Sequence, residues 1–201
     1  GSSMALKEQH FKRRLAYSTI SNLSYMIFGA ALMIPEGQVA AMSHFVFHGI
    51  MKIVLFMVAG AVIHMTEKNY VSDLFGFGKK MPVMFVCFTI ASVAIVGVPP
   101  TVGFISKWNL LSAGAISGTF GFIGVGVLLI SSLLTAMYLF SIVIKAFFPG
   151  PGFDPESVKD VKDPNMLMKF PIVLITALVL FGVAFSRPFM SFLENIASGL
   201  I

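Results

Sequence analysis

Along the chain, apolar residues come in long unbroken runs separated by short polar stretches, over 15–34, 39–65, 81–115, 120–148 and 171–193. A helix needs about 20 apolar residues to cross a bilayer core of roughly 30 Å, and each run reaches that length. Apolar positions are contiguous and do not alternate, so the runs predict helices rather than barrel strands. The third run contains Val98-Pro99-Pro100-Thr101-Val102-Gly103. Proline lacks the helical N–H and disfavours helix at the residue before it, so a break at 98–103 is predicted. The pattern is that of an all-α polytopic transmembrane bundle with one proline-interrupted helix.

The organisation follows from the same pattern. A membrane domain covers 1–148, a cytoplasmic loop 149–170, and a final transmembrane helix and tail 171–201. The loop between Pro149 and Met168 holds four Pro, two Gly and both signs of charge, the composition of a surface segment. No secretory signal is visible at the start. Gly1-Ser2-Ser3 ahead of Met4 reads either as an expression remnant or as the small-residue end of a helix.

Composition removes the soluble alternatives. Apolar residues make up 57% and charged residues 11%, against roughly 45–50% and 25% in an ordinary globular chain. Mean hydropathy is +0.90, which excludes a soluble enzyme and a disordered chain. The single cysteine, Cys87, excludes an internal disulfide, a redox pair and a cysteine zinc site.

The net charge of +5 is not a nucleic-acid signature, because the cations sit at the ends of apolar runs. Lys7, Lys12, Arg13, Arg14, Lys68, Lys79, Lys80, Lys145, Lys159, Lys162 and Lys169 fall on one side if the chain alternates across the bilayer. The other side receives only Arg187. The positive-inside rule makes the basic side cytoplasmic, and a bacterial or archaeal plasma membrane is expected.

Charged groups inside spans need a reason, since each costs about 2.5–3.5 kcal/mol on insertion scales. The second run carries His44, His48 and Lys52 at i, i+4 and i+8. They form one stripe about 12 Å long. Histidine titrates near neutrality and a lysine amine is a second proton carrier, so a proton relay is the favoured reading. The plainer one has the histidines bonding neighbouring helices and Lys52 reaching an interface. Lys52 lies too deep in its run for that reach. Zinc is a weaker alternative, because no nearby carboxylate or cysteine completes a ligand set. His64 is a candidate relay terminus or a solvated cap.

Backbone freed at Pro99, Pro100 and Gly103 survives at membrane depth only against protein or a watery cavity. Lys107 sits just beyond that break, and a broken helix with an adjacent charge is a recurring ion-pathway device. A simple proline kink with Lys107 at the membrane edge is the alternative. In the first run Ser18, Thr19, Ser24 and Tyr25 either line a hydrated path or bond adjacent helices, as do Thr135 and Tyr138 in the fourth.

The chain resembles the antiporter-like subunits of respiratory complex I, Mrp-type sodium/proton antiporters and membrane-bound hydrogenases. Lys12-Arg13-Arg14-Leu15-Ala16-Tyr17-Ser18-Thr19-Ile20-Ser21, the His44-to-Lys52 stripe, Asp73-Leu74-Phe75-Gly76 and Gly97-Val98-Pro99-Pro100 through Lys107 carry the resemblance. As an ordered set over residues 12–110 these motifs are highly specific. The resemblance implies two inverted five-helix repeats, each with a broken helix bearing lysine or glutamate. Lys52 is then the central-axis lysine of the second repeat, with His44 and His48 bridging toward it. Lys107 becomes the lysine of the exit half-channel. The glutamate and lysine of the first repeat have no counterpart here, so a C-terminal fragment or a shortened relative is expected.

The expected function is that of a proton-translocating subunit of a redox-driven pump of the NADH:quinone oxidoreductase type. An Mrp-type sodium/proton antiporter or membrane-bound hydrogenase subunit is the alternative, and a non-conducting membrane scaffold is the alternative of another class. No flavin, quinone, haem or iron–sulfur motif is present, so no cofactor is expected and electron transfer falls to partner subunits. Expected partners are other membrane subunits, the lipid bilayer, and protons with sodium as the alternative ion.

Overall fold

Helices built from the apolar runs account for most of the computed structural model, which describes residues 1–150, 155–159 and 161–199. Parts of the 149–170 loop and of the 171–201 tail therefore lie outside the described residues. The helices are α1 (Ser2–Lys7), α2 (Phe11–Ala31), α3 (Pro35–Thr66), α4 (Phe77–Lys80), α5 (Pro82–Val96), α6 (Val102–Ile116), α7 (Gly118–Phe147), α8 (Met166–Phe181) and α9 (Ser186–Ala197). Pro35 and Pro82 open α3 and α5 at the first helical position, where a missing N–H costs nothing. α3, α7 and the α8–α9 pair are long and apolar enough to cross a membrane.

The predicted interruption separates α5 from α6. Gly97 ends α5 with φ +91°, a left-handed geometry that glycine adopts without a Cβ penalty. The Pro99–Pro100 peptide is cis. Thr101 starts α6 by accepting the Phe104 N–H on Oγ1 at 3.3 Å, an ordinary N-cap. The two half-helices approach so closely that a Cβ on Gly103 would lie 1.8 Å from the Ala94 carbonyl oxygen.

Other boundaries differ from the apolar runs for identifiable reasons. α2 begins at Phe11 and takes in the Lys12-Arg13-Arg14 turn. Arg14 is buried there because its guanidinium donates to Glu8 O at 2.7 Å, Tyr138 O at 3.2 Å and Ser141 Oγ at 2.9 Å. The last run divides into α8 and α9 through a tighter 3-10 turn, Gly182–Phe185. Pro188 cannot donate to residue 184 and its ring crowds that carbonyl, which accounts for the irregular turn.

α3 is the central element, packed against α2, α5, α6, α8 and α9. Its neighbours leave outward faces rich in large apolar residues. Phe120, Val127, Ile130 and Leu133 on α7, and Leu167, Leu174 and Phe181 on α8, are all exposed, as lipid-facing side chains are.

The connections sort to two ends of the bundle. At one end Phe11 N donates to Asn69 O at 2.8 Å, Val71 N to Gln9 O at 2.9 Å and Gly76 N to Lys145 O at 3.2 Å. These bonds gather the basic segments at 7–14, 68–80 and 145. At the other end Glu36, Ser112, Ile116 and Glu194 line one cavity.

Candidate functional site

α3 carries the buried stripe. His44, His48 and Lys52 are 0%, 4% and 5% exposed, because α3 has protein on most of its sides. The two imidazoles stack with centroids 5.8 Å apart at 25°. One turn further, Lys52 Nζ donates to Leu15 O at 3.0 Å and to Ser18 Oγ at 2.7 Å on α2.

The helix break positions the second lysine. Ending α5 at Val96 leaves its last carbonyls without intrahelical donors. Lys107, one turn into α6 and buried, donates from Nζ to Val96 O at 3.1 Å and to Ser132 Oγ of α7 at 2.9 Å. A cation thus sits at the negative end of a helix dipole, where it is favoured. The freed backbone meets protein here, through the side chain that the break itself brings close.

Hydroxyl groups connect to both lysines. Tyr138 Oη, on α7, lies 2.7 Å from Ser18 Oγ and 3.2 Å from Thr135 Oγ1. Lys52, Ser18, Tyr138 and Thr135 therefore form one hydrogen-bonded chain from α3 through α2 to α7. Tyr25 joins the other group, with its ring centroid 5.8 Å from that of His44 and 5.4 Å from Lys107 Nζ. Its hydroxyl donates to Ser131 Oγ at 2.6 Å, and Ser131 lies 2.8 Å from Ser21 Oγ. Between the lysines, Nε2 of His44 and of His48 is buried with no hydrogen-bond partner among the described residues.

Not every residue singled out in the sequence joins this group. Thr19 Oγ1 donates to Leu15 O at 3.0 Å, and Ser24, which is exposed, donates to Ile20 O at 3.0 Å. Both bond back to their own helix. His64 is exposed at the C-terminal end of α3, 12 residues and about 18 Å along the axis from Lys52. Pro99 and Pro100 lie exposed in the connection, and Gly103 serves the close helix approach. Ser106, Ser131 and Ser132, which carry no charge or proline to mark them in the sequence, touch His44, Tyr25 and Lys107. The i, i+4, i+7 spacing of Ser131, Thr135 and Tyr138 is the signal that finds the α7 face.

Charge at the site is one-sided. Ion pairs among the described residues lie at the surface, Arg13–Glu8 at 3.4 Å and Lys159–Glu156 at 3.0 Å. Neither buried lysine has a carboxylate partner among the described residues. No group of His, Cys, Asp or Glu there could hold a metal ion. Hydroxyls reach both amines and the His44 imidazole, and the groups here that can carry a proton are two amines and two imidazoles.

The comparisons agree with that architecture. Subunit N of an NADH-quinone oxidoreductase from Desulforudis audaxviator is 33% identical over 186 residues, 91% of this chain and 37% of that protein. The chain thus spans well under half the length of this relative. A chain of the Mrp complex from a Dietzia species superposes with TM-score 0.85 at 21% identity, covering 98% of this chain and 44% of that one. A chain of respiratory complex I from Thermus thermophilus superposes with TM-score 0.80 at 21% identity, covering 98% and 41%. These two likenesses bear on fold. The family model described as NADH:quinone oxidoreductase/Mrp antiporter, TM matches residues 1–147, the segment that holds the histidines, both lysines and the broken helix. With the matching fold, this makes the chain an integral membrane protein of the NADH:quinone oxidoreductase/Mrp antiporter family.

Proposed function

We propose that this chain translocates protons as part of an antiporter-like subunit in a redox-driven complex of the NADH:quinone oxidoreductase type. The observation that carries the reading is a pair of buried lysines without carboxylate partners among the described residues, with two imidazoles on α3 between them. An ammonium group at membrane depth is costly to keep, and a purely structural role would be filled more cheaply by an apolar residue. Lys52, His48, His44 and Lys107 are the carriers in this reading. Ser18 and Ser132 hold the amines, Tyr138 holds Ser18 in turn, and the Nε2 atoms without a partner among the described residues are where a proton enters. Pro99, Pro100 and Gly103 shape the break that gives Lys107 its carbonyl.

The redox chemistry belongs to other subunits, and relatives bearing names such as subunit N fit a chain that works within a multisubunit membrane assembly. The basic end of the bundle faces the cytoplasm, with the 149–170 loop on that side.

The test is proton uptake into liposomes holding the assembled complex, driven by its electron donor. Lys52→Met should abolish uptake while assembly and electron input persist. Undiminished uptake would leave the scaffold reading. Uptake that requires sodium and no donor would point to antiport.

A further inference from the structure

Ser106 lies beside Lys107 in sequence but faces the other way, toward α3. Its Oγ is 2.9 Å from His44 Nδ1 and donates to Gly103 O at 3.2 Å. Ser106 and His44 are both fully buried, so water does not compete for these bonds. A serine hydroxyl has one proton and two acceptor positions, which leaves two arrangements. In one, Ser106 gives its proton to Nδ1, Gly103 O loses that donor, and His44 holds a buried Nε2–H with no partner among the described residues. In the other, Ser106 gives its proton to Gly103 O and accepts Nδ1–H from His44. The second keeps one more hydrogen bond. It also leaves bare an acceptor rather than a donor, and orphaned buried donors are the rarer of the two.

We propose that Ser106 is a positioning residue that fixes neutral His44 as the Nδ1–H tautomer, making Nε2 its proton-accepting atom. This inference rests on the relay reading for its purpose, but the tautomer itself is independent of transport. Which imidazole nitrogen carries the proton is set by the bond made at the other. His44 then enters each cycle with the same atom open, and a proton taken at Nε2 also leaves from Nε2, because the Nδ1 proton stays hydrogen-bonded to Ser106. Because the acceptor for Ser106 is Gly103 O, in the first turn after the break, the histidine is tied to the same half-helix that carries Lys107.

The experiment is nitrogen-15 NMR of the full chain in lipid bilayers with labelled histidine, the His44 signals being assigned by their loss in His44→Gln. The expected spectrum shows protonated Nδ1 and bare Nε2 for His44. Ser106→Ala should lose that single-tautomer signature, and Ser106→Thr should restore it. An Nε2–H tautomer in the unsubstituted chain overturns the proposal, as does an unchanged spectrum in Ser106→Ala. The spectrum of the unsubstituted chain decides the matter even if the alanine variant does not fold. A correct tautomer in a subunit whose Lys52→Met variant still pumps would leave this assignment standing and remove the relay.

Discussion

Lys107 Nζ lies 3.1 Å from Val96 O, so the lysine closes the carbonyl end of the half-helix that precedes its own. The break and the charge form one unit: interrupting the helix exposes a carbonyl, and the ammonium occupies it. Lys107→Met removes this bond and the one to Ser132, leaving Val96 O at membrane depth without that donor. Charge-assisted bonds of this kind contribute about 1.5–3 kcal/mol. The variant should unfold at lower temperature in detergent and show no proton uptake in the assembled complex.

Lys52→Met should behave differently in stability. Leu15 O also accepts the Thr19 hydroxyl at 3.0 Å, and Ser18 Oγ keeps Tyr138 at 2.7 Å. Removing the amine therefore orphans neither acceptor, and it relieves a buried charge that has no ion-pair partner among the described residues. Thermal unfolding of Lys52→Met should occur at or above that of the unsubstituted protein, while proton uptake is lost. A large fall in melting temperature would mean that Lys52 holds the fold.

Gly103→Ala places a methyl group 1.8 Å from Ala94 O, with backbone rather than a flexible side chain in its way. The half-helices must separate, at a cost of about 1–3 kcal/mol for overpacking. Thermal unfolding and the protease sensitivity of residues 97–101 would report it.

Outside the membrane, the Glu8 carboxylate accepts the His10 backbone N–H at 2.9 Å and lies 3.4 Å from Arg13. The His10 amide first, and Arg13 with it, hold this carboxyl below its ordinary value of 4.5. A depressed value means that the stabilising contribution is present above 4.5 and is lost as pH falls through the lower, folded value. Amide exchange at His10 should accelerate in that acid range, and Glu8→Gln should remove the acceleration.

Sidedness has its own check. Single cysteines in a Cys87→Ala background at positions 12 and 79 should label from one face, and at 36 and 117 from the other. Labelling of positions 36 and 79 from the same face would sink the orientation.

What could be read from the residues alone divides by range. His44, His48 and Lys52 share a helix, so their spacing already places them on one stripe. The prolines likewise locate the break, since the constraint is local. Lys107 against Val96, and Ser18 with Tyr138 around Lys52, depend on how separate helices meet, and no periodicity carries that. The polar first half of α2 also conceals which face matters. Ser18, Ser21 and Tyr25 turn inward, whereas Thr19 and Ser24 only bond their own backbone. Ser106 was hidden for a simpler reason: beside a lysine, a serine looks like filler.

Beyond the break, α5 is gripped at both ends by side chains from other parts of the chain. Asp163 accepts the Val83 and Met84 amides at 3.3 and 3.5 Å, while Lys107 holds the far end. The segment is thus clamped like a rod between an aqueous loop and the membrane interior. Any axial slide of that rod must show itself at the loop as a change in the Asp163 grip. A fluorophore near residue 163 is then a gauge of movement at the buried lysine, read from the water without entering the bilayer.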